Sequence, residues 1–370
     1  MKIVQILPEL NSGGVEKGTL EISKYLVAQG HESWVISAGG RLLDQLRKQG
    51  GKHIEMPVHR KHINSLKQIK LLRELFEREQ FDIIHVRSRV PAWLAYFAWK
   101  KMDQSKRPKF LTTAHGTYSI NAYSAIMSRG ERVIAVSEHV KKYLLKHYQI
   151  SAQKIQVIHR GVDAGTIIKD AKLNEQWLQS WYAEFPETQD KTLLLLPGRL
   201  TRWKGQEDLL QIVAQLKSNH PNIHAFIVGE VHPRKQAFKE ELLLQIKELG
   251  LQNEISFTGH RSDVAKIMQL SDIILSLSKE PEAFGRVSLE GLALGKPVLG
   301  YAHGGVAEQL NALYIEGAVE PNNTNQAVEK LTQWLSQGPP KVGKSIEPFT
   351  LQKMQQMTLE VYQNLLNKDS

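Results

Sequence analysis

Glu282 and Glu290 stand eight residues apart in the stretch KEPEAFGRVSLEGLALG, Lys279 to Gly295. A carboxylate just before a helix is favoured by the helix dipole and can accept a hydrogen bond from a sugar hydroxyl. A second, about two turns on, could grip a pair of hydroxyls such as those of a ribose. Taken alone, the pair also fits an N-terminal cap and a solvated surface residue. Arg199 and Lys204, five residues apart in PGRLTRWKGQEDLL, add two cations beside Gly198 and Gly205, which allow close backbone approach. Such cations could neutralise a departing diphosphate, although a charge pair on a solvated loop is the plainer alternative. No His/Asp/Glu set has metal-ligand spacing, so no metal is expected.

These side chains need elements to hold them. Asp272 to Leu277 is an apolar run that reads as a buried strand, and Phe284-Gly285 opens a helix that Gly295-Lys296-Pro297 stops. The backbone N–H groups of Ala283, Phe284 and Gly285 then lie at a helix N-terminus and form an anion site. Thr192 to Leu196 reads as the strand that delivers Arg199 and Lys204. Ala225 to Gly229, Ile255 to Phe257 and Val298 to Tyr301 read as further strands. His303-Gly304-Gly305 could meet a ligand or merely turn the chain.

The first half reads as a similar βαβ series. Lys2 to Leu7 is a strand, Asn11 to Gly14 a glycine loop, and a helix runs to about Gln29. Gly13 and Gly14 could bring backbone to a ligand or make a plain turn. Phe81 to Val86 is a buried strand with His85, Arg87 and Arg89 at its carboxyl end, where open α/β sheets bind ligands, so all three are acceptor-side candidates. Phe110 to Ala114 is another strand, ending in His115-Gly116-Thr117-Tyr118. Leu66, Ile69, Leu72, Leu75 and Phe76 make a helical stripe within Arg60 to Gln80, with Lys67, Lys70, Arg73 and Arg78 off it.

The 370 residues suffice for two domains, each with its own core. There is no Cys, which suits the cytosol. Met1 to Leu10 reads as a first strand rather than a signal peptide, and no apolar run approaches the roughly 18 residues of a membrane span. Net charge is +10, and the residues through Asp163 carry 27 Lys and Arg against 14 Asp and Glu. A basic front half suggests an anionic partner: a membrane surface, a phosphorylated lipid or nucleic acid.

Glu-x7-Glu beside Phe-Gly, before Gly-Lys-Pro-Val, resembles the signature of retaining glycosyltransferases of the GT-B architecture, in family 4. Gly-Arg-x4-Lys-Gly resembles that family's donor-diphosphate motif, and the resemblance extends over nearly the whole chain. It implies an α/β fold of two Rossmann-like, doubly wound domains facing a cleft. An acceptor-binding domain is expected over 1–163 and a nucleotide-sugar-binding domain over 164–348. A C-terminal helix in 349–370 is expected to cross back onto the first domain.

By the same resemblance Glu282 contacts the donor sugar, Glu290 the ribose, and His115 lies beside the donor sugar. Arg199 and Lys204 hold the diphosphate, and Gly259 and Arg261 meet the base, Arg261 through its main chain. Gly13 and Gly14 serve the donor phosphates and acceptor, and Tyr118 faces the acceptor side with Arg87 and Arg89. His159-Arg160-Gly161-Val162-Asp163 resembles the family's interdomain connection, with His-Arg as a departure from it.

The expected activity is metal-independent, retaining transfer of a hexose-like sugar from a UDP- or GDP-linked donor, with no cofactor. The expected acceptor is a glycolipid, lipopolysaccharide or other surface glycan. The expected place is the cytoplasm, peripheral on the inner face of the plasma membrane. A soluble acceptor, a nucleotide-sugar epimerase on the same fold and a nucleic-acid-binding module are the rival readings. The charge favours the last, but the paired Glu residues and the absence of a nucleic-acid motif do not.

Overall fold

The computed structural model describes residues 1–11, 13–59, 65–231 and 236–367. The chain divides into one unit of Met1–Arg160 with Leu351–Ser370 and a second of Gly161–Thr350.

In the first unit the strands are β1 (Lys2–Ile6), β2 (Glu32–Ser37), β3 (Lys52–Glu55), β4 (Ile83–Val86), β5 (Lys109–Ala114), β6 (Arg132–Ala135) and β7 (Ile155–Val157). They form one seven-stranded sheet in the order β3-β2-β1-β4-β5-β6-β7, parallel throughout, with Gln5 in register with both Val35 and His85. Parallel strands need crossovers. Helices α1 (Gly14–Ala28), α2 (Leu43–Lys48), α3 (Ser65–Glu79), α4 (Arg89–Lys100) and α5 (Glu138–His147) supply five of the six, and a 3-10 segment at Ser124–Ser128 lies in the β5–β6 connection. Strand order reverses between β1 and β4, so a crevice opens at their carboxyl ends.

The α3 stripe is buried at Ile69, Leu72, Leu75 and Phe76. Its cations have acidic neighbours: Lys70 is 3.8 Å from Glu74 and Arg73 3.5 Å from Glu77. The rest of the expected basic stretch, Arg60–Asn64 with Lys61, lies outside the described residues, as does Ser12 of the glycine loop.

The second unit begins with α6 (Ala164–Asp170) and α7 (Glu175–Glu184). Strands β8 (Thr192–Pro197), β9 (Ile223–Val228), β10 (Ile255–Gly259), β11 (Ile273–Ser276), β12 (Val298–Tyr301) and β13 (Ala318–Val319) follow. Their crossovers are α8 (Gln206–Leu216), α9 (Gln236–Glu248), α10 (Val264–Leu270), α11 (Arg286–Ala293) and α12 (Gly304–Leu313), and α13 (Thr324–Gln337) closes the series. The sheet is parallel in the order β10-β9-β8-β11-β12-β13, and its reversal falls between β8 and β11. Leu193 to Leu196 and Ile273 to Leu275 are buried on both faces, as a parallel sheet covered by helices requires.

The last helix, α14 (Leu351–Leu366), returns to the first unit. Met354, Val361, Tyr362 and Leu365 join a core with Ile3, Ile22, Ile83, Leu111 and Ile134. Among the described residues no helix is long and apolar enough to cross a membrane.

Candidate active site

The reversal between β8 and β11 gathers the chemistry of the second unit. The chain leaves β8 through Gly198 and Arg199, makes one 3-10 turn at Arg202–Lys204, and enters α8 through Gly205. Gly205 has φ +77°, and a Cβ there would stand 2.0 Å from Leu277 O. Only glycine lets this loop press against the end of β11, and that contact swings Lys204 toward the next loop. Gly198 lies under the Lys204 stem, and Gly229 in turn leaves room for the Gly198 carbonyl.

Lys204 Nζ meets Glu282 Oε1 at 2.8 Å, with both side chains about 15% exposed. Ser278 Oγ donates to the same carboxylate oxygen. His303 Nε2 donates to the Ser278 carbonyl at 2.6 Å, so Ser278 and Glu282 are braced from the loop after β12. Arg199 is exposed and has no side-chain partner among the described residues. The pair largely neutralises itself, and Arg199 is left to supply net positive charge at this strand end.

Beyond Glu282 the backbone turns into α11. The N–H groups of Ala283, Phe284 and Gly285 have no acceptor among the described residues. Their carbonyls are differently placed. Gln309 Nε2 donates to Phe284 O at 2.6 Å, and Ser288 Oγ lies 2.8 Å from Gly285 O. Holding the carbonyls on one side in the buried layer leaves the N–H side for an anion. The Phe284 ring is buried with Val162, Leu289, Ile346 and Phe349, so Phe284 can serve a ligand only through its backbone. Glu290, one oxygen of which lies 3.1 Å from Arg286, retains acceptor capacity for hydroxyls.

Gly304 and Gly305 are explained by this loop. A Cβ on Gly304 (φ +57°) would stand 2.4 Å from Glu282 O, and one on Gly305 2.4 Å from Phe284 Cα. Gly305 N–H donates to Glu282 O at 2.8 Å. The glycines back the Glu282–Phe284 segment.

Gly259 (φ +68°) ends β10 with open space over its α-carbon. The Arg261 side chain is engaged elsewhere, by two 2.9 Å bonds to Asp263 and one of 2.8 Å to Glu184. These bonds raise its already high pKa further. Its guanidinium is thereby held against Asp263 and Glu184.

The first unit has its own cluster at carboxyl strand ends. His115 follows β5, and its Nδ1 is 2.7 Å from an Arg160 terminal nitrogen, while its Nε2 is buried with no partner among the described residues. Burial, then the charges of Arg160 and Arg87, hold its pKa well below the usual histidine range. Arg160 also donates to the carbonyl of Gly14. Gly13 (φ +152°) sits over the Glu16 carboxylate.

Arg87 is buried rather than displayed at the strand end, and donates to Gln5 Oε1 at 2.7 Å. Gly18 on α1 makes room for both guanidinium groups, since a Cβ there would lie 3.2 Å from Arg87 and 3.5 Å from Arg160. His85 is bonded on both nitrogens, to Tyr362 OH at 2.7 Å and Thr113 Oγ1 at 2.6 Å. Arg89 lies over the rings of Tyr118 and Tyr123 and bonds Ser124 Oγ at 3.1 Å. Tyr118 OH accepts from the His115 N–H at 3.0 Å.

Within the second unit, the structure brings Lys204 to Glu282 and keeps Glu290 with Arg286. Within the first, it brings His115 to Arg160. Sequence reasoning passed over Ser278, Arg286, Ser288 and Gln309. It also gave Arg160 no role beside His115, although the His159-Arg160 departure was a signal for it.

Two parallel-sheet α/β units, of seven and six strands, place the chain in the GT-B glycosyltransferase class. The chain belongs to the family 4, group 1 glycosyltransferases: residues 12–165 match Glycosyltransferase Family 4 and residues 179–347 match Glycosyl transferases group 1. It is 36% identical to a glycosyltransferase of Rickettsia africae ESF-5 of known crystal structure, over 99% of this chain and 98% of that one, with TM-score 0.86. Anabaena Alr3699/HepE, solved in complex with UDP-glucose, shares the fold at 21% identity and TM-score 0.78, over 98% of this chain and all of that one. The lipopolysaccharide glucosyltransferase WaaG of Escherichia coli K12 is 25% identical, over 88% of this chain and 87% of its own.

Proposed function

We propose that the protein is a retaining, metal-independent glycosyltransferase. It moves a hexose-like sugar from a nucleoside diphosphate sugar, UDP- or GDP-linked, to a glycolipid, lipopolysaccharide or other surface-glycan acceptor. The observation that carries this is the convergence, after β8 and β11, of Arg199, the Lys204–Glu282 pair and the free N–H groups of Ala283 to Gly285. Arg199, Lys204 and the N–H groups take the leaving diphosphate, so protein charge does the work a metal would otherwise do. Glu282 takes a hydroxyl of the transferred sugar and Glu290 the ribose, and the main chain at Gly259 and Arg261 takes the base. The domain over 164–348 is the donor half. The domain over 1–163 is the acceptor half, with Arg89, Tyr118 and, from beneath, Arg87. His115 offers its Nε2–H to the transferred sugar.

Glu282 Oε1 already accepts from Lys204 and Ser278, and in this reading its other oxygen holds a sugar hydroxyl rather than attacking as a nucleophile. That favours same-face attack, in which the departing phosphate helps take the acceptor proton. The UDP-glucose complex of HepE and the WaaG relationship support a nucleotide-sugar donor and a lipopolysaccharide-type acceptor. The charge of the first half supports a peripheral place on the inner membrane face. On α3 itself Glu74, Glu77 and Glu79 offset most of the positive charge, so any attraction is spread over the unit.

The test is a donor panel assayed in EDTA with the anomeric configuration of the product read by NMR. Turnover of one nucleoside diphosphate hexose with retention supports the proposal. Activity lost to EDTA and restored by Mg²⁺ or Mn²⁺, or inversion, overturns it.

A further inference from the structure

His115 carries the least ordinary hydrogen-bond arrangement in the first unit. Its Nδ1 faces an Arg160 nitrogen at 2.7 Å. A guanidinium has only donors, so Nδ1 must present its lone pair and the ring proton must sit on Nε2. That Nε2–H is buried and has no hydrogen-bond partner among the described residues. The other terminal nitrogen of Arg160 donates to Gly14 O, at the start of α1. One buried side chain thus joins the imidazole to the glycine loop. We propose that Arg160 is a positioning residue that fixes the Nε2–H tautomer of His115 and ties it to the glycine loop, making His115 a hydrogen-bond donor rather than a base. The proposal rests on the reading that His115 meets the transferred sugar.

The surroundings agree. The groups facing His115 are Arg160 after β7, His85 in β4 and Arg87 just after it, and the Tyr118 hydroxyl from its own loop. On α1, Glu16 and Glu21 act on Arg87. The small cavity beside the ring, lined also by Gly18, Thr113 and the Met354–Thr358 turn of α14, has a volume of about 20 Å³. That is room for roughly one water, too little to hydrate an imidazolium. Cationic neighbours and burial therefore both favour the neutral ring.

Two measurements on the full-length protein test this. In 15N-histidine-labelled protein, multiple-bond 1H–15N spectra, with His115 assigned through His115→Gln, should show the Nε2–H pattern from pH 6 to 8 without titration. Arg160→Lys, which keeps a cationic donor, should retain it. Arg160→Met should give mixed tautomers and a ring that titrates at higher pH than in the wild type. Arg160→Met should also lower turnover about tenfold, more at pH 6 than at pH 8, with nucleoside diphosphate affinity unchanged. An Nδ1–H or charged ring in the wild type overturns the proposal, as does an Arg160→Met protein whose His115 signals are unaltered. With His115 also assigned by through-bond correlation in the wild type, its spectra decide this even if a variant misfolds. Normal turnover in His115→Gln would instead remove the reading beneath it, and the spectra would still decide the tautomer.

Discussion

Lys204 Nζ and Glu282 Oε1 are 2.8 Å apart, joining a loop after β8 to a loop after β11 across 78 residues of chain. The pair is partly buried, and Ser278 adds a second bond to the same Glu282 oxygen. Removing one partner leaves the other uncompensated, so its members are not independent.

The cations should therefore separate in their effects. Arg199→Ala removes an exposed, unpaired charge, so turnover should fall by at least ~10²-fold with thermal stability nearly unchanged. Lys204→Ala should lower turnover as much and also lower the melting temperature. In a double-mutant cycle with Glu282→Gln the stability losses should be strongly non-additive. Additive losses would mean the pair does not act as a unit.

Glu282 and Glu290 should divide sugar from nucleotide. Glu290→Gln is expected to weaken binding of the bare nucleoside diphosphate in calorimetry. Glu282→Gln is expected to spare that affinity and lower turnover. Equal effects on affinity would argue against the assigned roles.

Gly304→Ala places a methyl 2.4 Å from Glu282 O at a left-handed φ. It should weaken nucleoside diphosphate binding although it contacts no ligand, because it displaces the loop that bears the free N–H groups. Unchanged affinity would show that this loop is not the diphosphate site.

This loop also marks what the sequence could and could not disclose. Thr192 to Leu196 and Val298 to Tyr301 are legible as strands because buried parallel strands read as unbroken apolar runs. The edge strands β3, Lys-His-Ile-Glu, and β13, only two residues long, carry no such run and escape notice. The Glu and Arg/Lys motifs are visible because their spacing is local. The brace from His303 to Ser278 and the contact of Arg160 with His115 span 25 and 45 residues, and no local pattern encodes them. The glycines at 304 and 305 are readable as special, but the reason lies in backbone brought next to them by β11 and β12.

His85 and His115 give a pH prediction. Burial first, then nearby cations, holds both pKa values well below the ordinary range in the folded protein. In the unfolded chain they take up protons near pH ~6.5. Below that pH the unfolded state binds more protons, so stability is fully present above it and is lost as pH falls toward the folded values. The slope should reach about 1.4 kcal/mol per pH unit for each histidine. Urea midpoints at pH 7 and pH 5.5 check this, and His85→Gln should flatten the dependence.

If the acceptor is an anionic glycolipid, the protein should co-sediment with anionic vesicles at low salt, and raised salt should release it. Lys67→Glu/Lys70→Glu should weaken the association only partly, because Glu74 and Glu77 already offset the charge of α3. Protein left in the supernatant at low salt would favour a soluble acceptor.

The central claim is that protein cations after β8, with the loop after β11, receive a nucleoside diphosphate as it leaves a sugar. Release of nucleoside diphosphate from a panel of UDP- and GDP-hexoses, in EDTA, compares the wild type with Arg199→Ala/Lys204→Ala most directly. The account predicts turnover of one donor by the wild type and a loss of at least ~10²-fold in the double variant. Near-normal turnover by the double variant, or no donor turned over by the wild type, would contradict it.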